Sequence, residues 1–394
     1  MIVLTHHASP ERRWLAHLVR AAAGAIRPGD RFDDDLPFEG LHVAELALRH
    51  RVAGLVHRGL AEGRIADALP SAFRERCRQV YFATLRKSTV AVEVGSAVLD
   101  ALAEAGVAAA PLKGHALLDG PEAVYEDPGV RPLDDVDLIV ARADLERAAG
   151  VLAELGFRPI AGRADARLAG GHELALHRTV AGIQLFVELH WAWAGSESLL
   201  RDFGLSGERF LAEYCDESRG GRLHPGRVGH LLFVAVHAAR HAFSRWIWLV
   251  DLHRLVECGP PLDWDAVVAA ARALRVRRPL YAGLLAAREL LRTPVPKETL
   301  AALAPGPLRR QLLHRSLAAS GAAASTPTPG RVAKLLLGES WWDVARTAAW
   351  AAAPGRAWYE ERGAGPGLRT WLAEGLRPRP AGAPESSRRL GGTP

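Results

Sequence analysis

The sequence predicts an α+β protein, with a small mixed β-sheet core flanked by N-terminal and C-terminal helical domains. Three observations predict it. Residues 10 to 106 carry helical periodicity without a convincing alternating strand. From Gly106 to Gly195 the order reads strand, helix, strand, helix, strand, strand, and after Gly195 helical spacing returns. The expected divisions are 1–105 for the N-terminal helical region, 106–195 for the core and 196–320 for a second helical domain. A linker with Trp-rich helices follows over 321–376, and a basic tail over 377–394.

Each element has its own signal. "LHVAELALRHRVAGLVHRGLAEG" has apolar residues at helical spacing and ends at a glycine, and a longer pattern runs from Ser71 to Gly106. "DDDLP" and the Pro28-Gly29 step mark loops between helices. "VAAAPL" and "VDLIV" are short apolar runs that predict buried strands, and "ADLERAAGVLAELG" is an amphipathic helix ended by glycine. "HELALHR" and "IQLFVELHWAW" predict two more strands across a "TVAG" turn. "VGHLLFVAVHAARHAF", "IWLVDLHRLVE", "DWDAVVAAARAL" and "LYAGLLAARELL" are helical, with Asp263 suited to cap the third and Asp265 to its first turn. "GAAASTPTPG" reads as the linker, and the Pro-, Gly-, Ser- and Arg-rich end is expected to be disordered.

Composition excludes several classes. Apolar residues at 49% and charged residues at 24% over 394 positions suit a soluble globular protein with a large core. "MIVLTHHASPERRW" turns polar after four apolar positions, which predicts no signal peptide. The most apolar long stretch carries His237, Arg240, His241 and Arg245, which argues against a membrane span. Cys77, Cys215 and Cys258 are odd in number and far apart, so they predict neither disulfides nor a zinc ribbon and suit a reducing cytoplasm. Of the net charge of +6, half comes from the tail from Arg377 to Pro394, with its four arginines and one glutamate. No basic stripe marks the rest, so no nucleic-acid partner is expected.

The chemistry concentrates in three segments. Side chains alternate along a strand, so Asp135 and Asp137 share one side of "DVDLIV". Two such carboxylates repel unless protons or cations neutralise them, and their hard oxygens suit Mg²⁺. Taken alone, the pair also fits a solvated strand end opened by Asp134 and Asp135 as turn residues. The neighbours favour the cation. In "LFVELHW", Phe186, Glu188 and His190 share a face, and an acid within so apolar a strand is costly without a partner. Placed beside "DVDLIV", Glu188 becomes a third carboxylate for the same ion. His190 would orient Glu188, touch an acceptor, or simply line the cleft. "PLKGHALL" is a strand, a glycine and a helix start, a place where backbone N–H groups meet phosphate. Lys113 adds a point charge there, and Arg131 stands four residues before Asp135.

This order, Lys-Gly after a strand, then Arg-Pro-x-x-Asp-x-Asp, then a strand with Glu-x-His-Trp, resembles the uncharacterised branch of the DNA polymerase beta-like nucleotidyltransferases over roughly residues 40 to 300. Members of that branch occur near polysaccharide and peptide natural-product biosynthesis. The resemblance implies a polymerase beta-like nucleotidyltransferase core in which Gly114 contacts the triphosphate. Asp135, Asp137 and Glu188 would match the metal-binding carboxylates. His115 stands where a second small residue is usual, and would either crowd the phosphate loop or hydrogen-bond a phosphate. The implied activity uses two Mg²⁺ ions, or Mn²⁺, to move a nucleoside monophosphate from a nucleoside triphosphate to an acceptor on a small molecule or peptide, releasing pyrophosphate. A catalytically silent nucleotide-binding module and a protein-modifying transferase are the other two readings.

Some residues tempt toward other chemistry. His237 and His241 lie one helical turn apart, with Asp251 and His253 beyond, which suggests zinc. Neither an HExxH nor a paired-cysteine motif accompanies them, so packing or substrate contact is the expectation. Trp341, Trp342, Trp350, Trp358 and Trp371 are expected to pack against the helical domain rather than to meet a membrane. No GxSxG elbow supports a hydrolase.

Overall fold

The computed structural model describes residues 9–26, 38–65, 69–160, 172–193, 206–217, 221–322 and 336–352. The expected tail, most of the expected linker, Trp358 and Trp371 lie outside the described residues.

The N-terminal region is helical, as Pro10–Ala22, Gly40–Arg49, Ala53–Ala61 and Ser71–Glu104. The pattern after residue 40 divides into two helices, because Arg51 turns left-handed at φ 61°. That conformation costs a non-glycine residue about 1–2 kcal/mol. Contacts at the turn offset it: the Arg51 guanidinium pairs with Asp134, and the His50 carbonyl accepts from the Ile247 N–H at 3.1 Å. The long helix stops at Gly106, whose φ of 66° lets its own N–H reach the Ala103 carbonyl at 2.9 Å and that of Val107 reach Leu102 at 2.8 Å. This paired closure satisfies the last carbonyls and sends the chain into the sheet.

Five strands form one mixed sheet: β1 Ala109–Leu112, β2 Asp135–Val140, β3 Arg158–Pro159, β4 Glu173–Val180 and β5 Ile183–His190. Their spatial order is β1-β2-β5-β4-β3, with β2 and β5 parallel and every other neighbouring pair antiparallel. The α+β reading holds. The β4–β5 hairpin closes on Ala181 and Gly182, both at positive φ, the conformation that a two-residue hairpin of this twist requires. Short β3 and a separate two-stranded pair, β6 Cys215–Glu217 and β7 Leu223–Pro225, carry too few residues to show in the sequence pattern.

The two faces of the sheet differ. Val136, Leu138 and Val140 of β2, with Val187 and Leu189 of β5, pack on Val98, Leu99 and Leu102 of the long helix and on Leu145, Ala148 and Leu152. Each such side chain contributes about 1.5–3 kcal/mol by burial. A one-residue slip of β2 would drive Asp135 and Asp137 into that apolar layer, so the register is fixed. A larger core joins Leu15, Leu18 and Phe73 of the N-terminal helices to the helices Arg227–Arg240, Ile247–Glu257, Trp264–Ala273 and Arg277–Leu291. Asp263 caps the third of these, accepting from the N–H groups of Asp265 and Ala266 at 3.0 Å. Trp341 and Trp342 depart from the packing expectation: both are exposed, with the Arg309 guanidinium over the Trp341 ring. Among the described residues no helix is long and apolar enough to cross a membrane.

Candidate active site

After β1 the chain turns at Lys113, φ 50°, into the short helix Lys113–Leu118. The turn carries the Lys113 ammonium to the Asp137 carboxylate on β2. Gly114 allows a close approach, since a Cβ there would lie 2.7 Å from Leu133 Cδ1 and 3.1 Å from Arg131 Nη1. Gly114→Ala should therefore displace both neighbours and cost about 1–3 kcal/mol, read as a lower melting temperature. An unchanged melting temperature would mean that the two side chains move aside freely.

Strand register assembles the acids. In the parallel pair Asp137 lies opposite Glu188 and Asp135 opposite Phe186; in the antiparallel pair Glu173 lies opposite His190 and Ala175 opposite Glu188. Asp135, Asp137, Glu188, His190 and Glu173 thus share the face away from the apolar layer. His190 Nε2 is 2.8 Å from Asp137 Oδ1 and 3.6 Å from Glu188 Oε2, and donor atoms of these three residues lie within 4.8 Å of one another. His190 Nδ1 faces Glu173 Oε2 at 3.8 Å, and His172 Nε2 lies 3.3 Å from that same oxygen.

The charges respond to this crowding. Burial, joined by the anions of Glu173, Asp135 and Asp137, pushes the Glu188 carboxyl well above its ordinary range. Burial also opposes charge on Asp137, but Lys113 and His190 outweigh it and hold that carboxyl low. Burial likewise disfavours the Lys113 ammonium, yet Asp137, Asp135 and Glu188 hold it above the usual lysine range. A buried anion that is hard to ionise, next to one that is firmly ionised, is an arrangement that gains from an added cation.

A cleft opens on this cluster. Lys113, Gly114, Arg131, Asp135 and Asp137 line it with Arg51, Asp134, His237, Arg245 and Trp248. Glu188 and His190 lie behind Asp137 on the next strand, nearly inaccessible. Arg131 is held by Asp251, with Nε to Oδ1 and Nη2 to Oδ2 both at 2.8 Å. Asp134 is committed elsewhere, paired with Arg51 and, at 3.0 Å, with Lys87. His115 does not reach the cleft. Its ring fills the space above Gly95 of the long helix, with Nε2 3.3 Å from the Val92 carbonyl oxygen.

The histidines considered for zinc serve other ends. Asp251 also accepts from the Tyr125 hydroxyl at 2.8 Å, and His253 Nδ1 meets Thr293 Oγ1 at 3.1 Å. The rings of His237 and His241 pack around Trp248. Among the described residues neither joins a group able to hold a metal. Sequence reasoning missed Glu173, His172 and the cleft wall of Arg51, Arg245 and Trp248. Only the alternation of "HELALHR" pointed toward Glu173, and it says nothing of which strand lies opposite.

The sheet face thus gathers carboxylates under a lysine, a donor set that suits a divalent cation. A protein-family model described as an uncharacterised nucleotidyltransferase matches residues 38–292, and the chain belongs to that family. It is accordingly a nucleotidyltransferase, a transferase of phosphorus-containing groups with a nucleotide substrate. No curated protein and no solved structure matches it. Nucleotidyltransferases typically use divalent metals, and the donor set of Asp137, Glu188 and His190 fits one.

Proposed function

We propose that the protein is a Mg²⁺-dependent nucleotidyltransferase with a polymerase beta-like core, moving a nucleoside monophosphate from a nucleoside triphosphate to a hydroxyl or similar acceptor on a small molecule or peptide. One observation carries this reading: Asp137 and Glu188 face each other across parallel strands, beneath the Lys113 ammonium and on the face that bears Asp135. Asp135, Asp137 and Glu188 would hold Mg²⁺, which when bound acidifies an acceptor hydroxyl and offsets charge on the departing pyrophosphate.

The chain's own groups do the rest. Lys113, now held by Asp137, is the cation nearest the carboxylates and would turn its charge toward the triphosphate. Gly114 lines the cleft beside Lys113, and its missing Cβ leaves room for the Arg131 guanidinium to pack against the turn. Arg131, fixed in direction by Asp251, sets a guanidinium on the same side of the cleft. Glu188, opposite Asp137 on the neighbouring strand, would share the Mg²⁺ and hold it toward the acceptor.

The test is incubation with α-labelled nucleoside triphosphates and Mg²⁺, with small-molecule extracts and with candidate proteins. Label in a small product with stoichiometric pyrophosphate is expected. Label in protein would assign the protein-modifying reading, and nucleotide binding without turnover would assign the silent one.

A further inference from the structure

We infer that His190 is itself a ligand of the metal centre, through Nε2, with Glu173 as the carboxylate that receives its Nδ1–H, giving the centre a mixed nitrogen and oxygen donor set that takes Mn²⁺ as well as Mg²⁺. This rests on the metal-dependent reading above. Nε2 stands 2.8 Å from Asp137 Oδ1 and 3.6 Å from Glu188 Oε2. Two ligands at right angles on an ion with bonds of about 2.1 Å lie about 3 Å apart, so one ion can touch all three residues with little movement. The imidazole is 1% exposed, and Nδ1 has no hydrogen-bond partner among the described residues. Its nearest anion is Glu173, at 3.8 Å. A ligating histidine commonly donates its second N–H to a carboxylate, which fixes the ring and its tautomer. With the proton on Nδ1, toward Glu173, the Nε2 lone pair faces the space between Asp137 and Glu188.

The second cluster on this face, His172 with Glu173 and His190, is not a rival centre. Arg240 Nη2 lies 2.7 Å from His172 Nε2, so a fixed cation already occupies that nitrogen. Arg240 also donates to the Trp193 carbonyl at 3.1 Å, which holds it there. His172 and Arg240 thereby confine Glu173 to the outer shell. Carboxylate oxygens suit both Mg²⁺ and Mn²⁺, and an added imidazole nitrogen gives bound Mn²⁺ a spectroscopic mark.

The experiment uses the full chain loaded with Mn²⁺ and pulsed electron paramagnetic resonance. The wild-type protein should show ¹⁴N coupling from one directly bound imidazole, and His190→Gln should lose it. His172→Gln and His237→Gln should keep it, so the assignment stands on these variants even if His190→Gln does not fold. Glu173→Gln should keep the coupling while weakening Mn²⁺ binding about 10–100-fold. Mn²⁺ bound without ¹⁴N coupling, or coupling that survives in folded His190→Gln, overturns the inference and leaves a carboxylate-only centre. Failure of both Mn²⁺ and Mg²⁺ to bind, with or without nucleotide, overturns the metal-dependent function as well.

Discussion

Asp137→Asn should reduce nucleotide transfer by about 10³-fold or more, a loss of roughly 4 kcal/mol of transition-state stabilisation. Asp137 is where the separate parts of the site meet. It lines the cleft, faces Glu188 across the parallel pair, accepts from Lys113 and lies 2.8 Å from His190 Nε2. Asparagine keeps its shape and one acceptor oxygen but removes the charge that holds a cation. The fold should survive, because Lys113 still has Asp135 and Glu188 as neighbouring anions. Removing one anion also relieves Glu188, whose carboxyl should then ionise more readily. Initial rates of pyrophosphate release, with circular dichroism to confirm folding, decide the matter. Turnover within tenfold of wild type would remove Asp137 from the reaction.

The parts of this site differ in how far the sequence revealed them. Asp135, Asp137 and Glu188 were legible because strand alternation is strict, and a buried acid among Val187, Leu189 and Phe186 stands out against its neighbours. Their sharing of one face needed only the assumption that β2 and β5 lie side by side, which the register meets. Lys113 and Gly114 were legible through the change from an apolar run to helix at a glycine. His115 shows the limit. Sequence places it one step from Gly114, but the short helix rotates it toward Gly95, a partner about twenty residues away in the chain. Glu173 was hidden for a related reason. Its role follows from the antiparallel register that sets it opposite His190, and register is a property of pairs of strands. The division at Arg51 was illegible too, since the left-handed turn is held by Asp134 and Ile247, both far along the chain.

Asp251→Ala should destabilise the protein by about 3–5 kcal/mol, the usual cost of breaking a buried pair on one side. Asp251 is 1% exposed and Arg131 6%, so the orphaned guanidinium would have little water to turn to. The Tyr125 hydroxyl would lose its acceptor as well. For a chain of this length the melting temperature should fall by about 4–6 °C. The pair also links function to packing, because Arg131 comes from the segment just before β2 and Asp251 from the helix Ile247–Glu257. Transfer should therefore fall even below the melting transition, as Arg131 loses its fixed direction beside Gly114. A double variant separates the two effects. Arg131→Met with Asp251→Leu replaces the ion pair by apolar contacts and should recover most of the lost stability, since such swaps are often neutral. Activity should stay low, because no cation remains at that wall of the cleft. If the double variant instead restores transfer, Arg131 is a structural strut and the nucleotide is held by Lys113 and its neighbours alone.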